Sequence, residues 1–225
     1  MSYDFEADDP FAFASAEDGI DVESTGDSGS LDEAHMLNNQ GDVLAGEDNA
    51  FVKTFNEKNE LTATYKCNAV TPVTGKTLVL GGDGTSGVVA TQVSVSYSNT
   101  GPCTITITGH KHGTAAHNTP AFTVTLPSLG FGALDPLGNP ASTDAQSASW
   151  SASIMNHVDK LNNQGTFLCG ISAGCKIEAS GEYLGAAPTL ADGWIADGGD
   201  ANTSNSDFHT YSLKAHQYQG RDTGA

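Results

Sequence analysis

FLCGISAGCKIEASGEY, residues 167–183, decides the fold. Its first half holds Gly170-Ile-Ser172-Ala-Gly174. In an α/β-hydrolase, Gly-x-Ser-x-Gly presents a serine on a strained turn between a strand and a helix. The second half does not read as that helix. Lys176-Ile-Glu-Ala-Ser-Gly-Glu-Tyr183 alternates polar and apolar residues, the period of a half-buried strand. Strand–turn–strand cannot present Ser172 as a hydrolase requires. The stretch therefore predicts a hairpin or bulged turn, with Gly170 and Gly174 supplying the turn dihedrals.

The same alternation recurs outward from this stretch. Leu61–Cys67, Val88–Tyr97, Thr104–Thr108, Ala121–Leu126 and Phe208–Tyr218 all read as strands rich in Thr, Val, Ile and Tyr. Asn99-Thr-Gly-Pro102 reads as the turn of a hairpin. Residues 147–160 fit a helical stripe and a strand about equally; their serine content favours a strand. Asn162-Asn-Gln-Gly165 reads as the next turn. Thr104–His112 is echoed by Thr210–Tyr218, both alternating runs that end in a small residue, His and a polar residue. If the echo is a duplication, the chain holds two related β-halves, 51–126 and 147–225, joined by a Gly/Pro-rich connection at 127–146. A long loop, 185–207, carries Trp194. The expected fold is all-β, an antiparallel β-sandwich with an extended acidic N-terminal arm.

That arm, residues 1–50, holds 14 acidic and no basic residues. It carries most of the chain's net charge of −18. Its composition predicts a flexible tail or a docking arm that orders on a neighbouring subunit, with Phe11 and Phe13 as contacts. Ser30 and Glu33 could cap a short helix at 30–37. No apolar run reaches the roughly 20 residues that cross a bilayer. The acidic start lacks the basic and apolar regions of a secretion signal, so synthesis in a cytoplasm is expected. Neither nucleic-acid nor membrane partners are expected.

Candidate chemistry is sparse. Cys67, Cys103, Cys169 and Cys175 lack the Cys-x-x-Cys spacing of zinc and redox sites, and are expected to be structural thiols. A disulfide formed late, in an extracellular particle, is the other reading. His110-Lys-His112 places two imidazoles at alternate strand positions, and His117 lies nearby; these three are the metal candidates. The plainer reading is a solvated strand end, so no metal or other cofactor is expected. Gly81–Gly87 lacks the lysine of a phosphate-binding loop. Asp197, Asp200 and Asp207 do not follow the spacing of a calcium-binding EF-hand. No acid pair or triad is recognisable, so no enzymatic activity is expected.

Phe55–Tyr65, Thr108–Gly113 and Thr210–Tyr218, together with the acidic arm and long loops, resemble structural proteins of tailed-bacteriophage virions. The resemblance implies a β-sandwich subunit that self-assembles or packs on other virion proteins, in the tail, neck, baseplate or capsid-associated. Phe11, Phe13 and Trp194 would then be contact residues. The alternative is a virion- or surface-displayed binding module for carbohydrate or a receptor. In that reading Trp194, Tyr183, Tyr211 and Tyr218 form an exposed stacking platform; in the assembly reading they are buried.

Overall fold

The computed structural model describes residues 9–15, 20–25, 38–42, 51–55, 58–67, 76–82, 88–112, 121–126, 145–163, 167–185, 190, 193–202 and 209–219. In 21–25, 38–42, 51–55, 58–59, 112 and 167 the backbone alone is described. The helix expected at 30–37, the connection 127–144 and His117 lie outside the described residues.

Among the described residues twelve strands form: β1 (Ile20–Thr25), β2 (Asn38–Asp42), β3 (Phe51–Phe55), β4 (Lys58–Cys67), β5 (Thr77–Leu80), β6 (Val88–Ser98), β7 (Gly101–His112), β8 (Phe122–Thr125), β9 (Ala145–Leu161), β10 (Phe167–Leu184), β11 (Ile195–Asn202) and β12 (Thr210–Gln219). Among the described residues there is no helix, and so none long and apolar enough to cross a membrane. The all-β expectation holds.

Eight strands run in the order β1-β4-β7-β6-β9-β10-β12-β11, and each neighbouring pair is antiparallel. Alternation sorts their side chains. One row across the sheet reads Tyr65, Ile105, Val95, Trp150, Ala179 and Ala215, and all six are buried. The adjacent row, on the other face, reads Thr64, Thr106, Ser94, Ser151 and Glu178. These are half-buried or exposed. The antiparallel pair β5–β8 supplies a second, smaller layer, with Leu80, Phe122, Val124 and Leu126 in the same core. A single parallel bridge, Leu80 to Ala90, joins that layer to β6. The layers of the sandwich are therefore one hydrogen-bonded sheet rather than two separate ones.

The two sets β1-β4-β7-β6 and β9-β10-β12-β11 share one strand order: first, second, fourth, third in sequence. The echo noted above falls on β7 and β12, which hold the same place in each set. The first set takes its outer strand from the arm.

Two expectations are corrected. FLCGISAGC is neither hairpin nor turn; it is the first half of β10, paired with β9, with a bulge between Phe167 and Cys169. The hairpin turn falls earlier, after Leu161. Gly174 does take a left-handed φ of 69°, but inside the strand. The loop 185–207 contains a strand, β11, whose eight residues are all exposed. Its Gly- and Asp-rich sequence carries no apolar alternation; pairing with β12 holds it.

Candidate functional site

β9 and β10 run 17 and 18 residues and pair along almost their whole length. β6 pairs with β9 only from Gln92–Ser153 to Ser98–Ser147. The distal part of the β9–β10 hairpin thus extends past the β6 register. There the register sets Ser172 opposite His157. Asp159 lies two residues beyond His157, so the pleat points both the same way.

The Ser172 Oγ and His157 Nδ1 are 2.8 Å apart, and His157 Nε2 lies 3.2 Å from Asp159 Oδ1. His110, from β7, brings its ring to 4.9 Å from that of His157, tilted by 51°. His110 and Ser172 are each 1% exposed. Gly81 closes over the serine: its N–H donates to the Ala90 carbonyl at 2.8 Å. A Cβ at Gly81 would stand 2.7 Å from Ser172 Oγ, and its φ of 75° disfavours any side chain.

Ser–His–Asp is the composition of a hydrolase triad, but the arrangement differs. The serine is buried in a strand rather than raised on an elbow. The imidazole meets it through Nδ1 and the acid through Nε2, the reverse of the hydrolase orientation. An acyl carbonyl has no open approach to Oγ. The donor atoms of His110, His157 and Asp159 lie within 4.8 Å of one another, a grouping that could hold a metal ion.

Of the histidines expected to bind metal, His110 is the one whose side chain is described, and it joins a cluster. The backbone of His112 continues β7, and its side chain lies outside the described residues. His157 and Asp159 were missed. Their signal was His-x-Asp at alternate positions in a strand, which puts an imidazole and a carboxylate on one face.

Phe13 is 2% exposed and sits in the core of its own chain, with Phe11 packed against that core. Trp194 is half-buried and also packs against it. Tyr183 is fully buried and paired across the strands with Tyr211. Tyr218 meets His216 edge-on at 5.1 Å. The four aromatic residues of the expected platform do not form one open surface. Asp197 accepts a 2.6 Å hydrogen bond from His216, and it and Asp200 lie on β11, exposed.

A second feature lies on the same hairpin. Met155, Val158, Leu161, Leu168 and Ile171 are each more than 40% exposed. Val158 and Ile171 are cross-strand partners. Apolar exposure concentrated on one element marks an interaction surface more often than scattered single residues do.

The thiols follow burial. Cys67, Cys103 and Cys175 are buried, Cys169 is half-buried, and none is in a disulfide. A hydrogen bond with Cys67, then burial, pushes the Cys103 thiol up; burial pushes Cys175 up to about 11, partly offset by a backbone hydrogen bond at Ser153. The thiolate is the reactive form. At mildly alkaline pH, iodoacetamide is expected to modify Cys169 first, and the other three only on unfolding. Mass spectrometry of timed digests reads this directly. Equal rates at all four would contradict the burial.

Compared with known proteins, the chain matches no protein-family model and no curated relative.

Proposed function

We propose that the chain is a non-enzymatic structural subunit, present in many copies in a large assembly. The tailed-phage virion suggested by the sequence resemblance, in the tail, neck, baseplate or capsid-associated, is its proposed setting. The observation that carries this reading is the apolar β9–β10 hairpin. Five large apolar side chains exposed on one projecting element are unfavourable in water, and a contact that buries them gains free energy. The burial of Tyr183 and the partial burial of Trp194, Tyr211 and Tyr218 support it over a stacking platform. Repetition makes such contacts effective, because symmetric copies multiply weak interfaces.

Light scattering on the purified chain tests this. Masses at multiples of 23.2 kDa are expected. Val158→Lys with Ile171→Lys is expected to return the chain to monomer without lowering its melting temperature. Wild-type chain that stays monomeric at high concentration would sink self-assembly. It would leave packing on a different virion protein, or a monomeric binding module.

One observation favours that module. Ser147, Ser149, Ser180, Glu182, Ser212 and Lys214 line an open recess of about 270 Å³ across β9, β10 and β12. Hydroxyls with one acid and one base are groups that bind sugars, but no aromatic face lines the recess.

A further inference from the structure

We propose that His110, His157 and Asp159 bind one divalent transition-metal ion, with zinc the best match to the donor set. Two imidazoles and a carboxylate are ligands of three-residue zinc sites, in which water takes the fourth position. The spacing is close to what the ion needs. Zinc bonds of about 2.0–2.1 Å at tetrahedral angles set donors about 3.3 Å apart. His157 Nε2 and Asp159 Oδ1 already stand 3.2 Å apart. All three donors lie within 4.8 Å, so the largest closure is about 1.5 Å, on the scale of a side-chain adjustment.

The surroundings fit as well. A ligating histidine ordinarily donates its other ring N–H to a neighbouring acceptor, which fixes the tautomer and the ring plane. Ser172 Oγ is 2.8 Å from His157 Nδ1 and can accept that proton, leaving Nε2 for the ion. Ser172 is held in place in turn by its burial against Gly81. The two imidazole rings lie 4.9 Å apart, and His110 is buried. Neutral imidazoles are the form a metal requires. The ligands come from β7 and β9, so the ion would tie the projecting hairpin to the body of the sheet. Sequence reading missed this because His110 and His157 are 47 positions apart and meet only through the hairpin's reach past β6.

The test is calorimetric titration of the chelator-treated, full-length chain with zinc chloride. Saturable binding of one zinc per chain is expected, with a rise in melting temperature in excess zinc. Asp159→Asn keeps the side chain's shape and removes its charge; it and His157→Gln are each expected to weaken binding by tenfold or more. Ser172→Ala, a positioning change, is expected to weaken binding by about tenfold. The melting temperature of each zinc-free variant separates a lost ligand from a lost fold. Absence of saturable binding up to millimolar zinc would overturn the proposal. So would equal affinity in wild type, Asp159→Asn and His157→Gln, which would put the ion elsewhere on the chain.

Discussion

A chain lacking residues 1–25 is expected not to reach the native fold, and Phe13→Ala alone is expected to cost about 3–5 kcal/mol. Phe13 is 2% exposed. Its ring meets Tyr65 edge-on at 5.2 Å, and the Lys76 ammonium sits 4.8 Å above it. Asp9 anchors the approach: one carboxylate oxygen accepts from the Tyr65 hydroxyl, the other from the Ala14 N–H, both at 2.6 Å. Burial first, then the hydrogen bond to Asp9, raises the Tyr65 hydroxyl well above the usual tyrosine range. Beyond this lies β1, with Ile20 buried opposite Cys67. Truncation would uncover Tyr65 and Cys67 and leave β4 as a bare edge, open to aberrant pairing. Native domains hold only about 5–15 kcal/mol in reserve, so one ring is a large share. Urea denaturation of Phe13→Ala measures that share. A midpoint equal to wild type would mean that the ring lies outside the core, free for a neighbouring subunit. Truncation to probe assembly would confuse loss of a contact with loss of the fold; the hairpin variants avoid this.

Gly109→Ala is expected to destabilise by about 3 kcal/mol or more, at the upper end of overpacking effects. A Cβ at Gly109 would overlap the Val89 carbonyl oxygen and stand 2.9 Å from the Phe11 ring. The first obstacle is backbone, in a ladder that pairs Gly109 with Ala90 next to the bulge between Ala90 and Gln92. It cannot rotate away as a side chain does. Gly101→Ala, at the start of the same strand, meets nothing within 4 Å and is expected to stay within about 0.5 kcal/mol of wild type. Comparing the two urea midpoints isolates the clash from general glycine effects. Equal midpoints would show that β6 and β7 can separate locally at little cost.

The strands of the body were legible because their alternation is a local signal: Ile105 and Ile107 point one way, Thr104 and Thr106 the other. The segment 147–160, ambiguous by period, forms most of β9. β11 was not legible, since Ile195–Asn202 carries no apolar alternation and is held by its partner. The buried Phe13 was hidden by the arm's acidic composition, which describes an average and not one ring. Ser172 misled through its flanking glycines: Gly170 and Gly174 suggested a turn, yet the chain continues straight through them as β10. Of the candidate centre, only His110 stood out. Its companions depend on which strands sit side by side and how far each runs, and neither is written in any local window.

The contact between β6 and β9 is the only ladder pairing that joins the two four-strand sets along the sheet's main path. Seven residue pairs make it, and four of them are serine against serine or glutamine. A load drawn between the outermost strands, β1 and β11, would meet these hydrogen bonds across the strands, so they part in succession rather than all at once. In mechanical terms the seam is a crease: stiff along the strands, and the line on that path whose parting would free one set of four from the other.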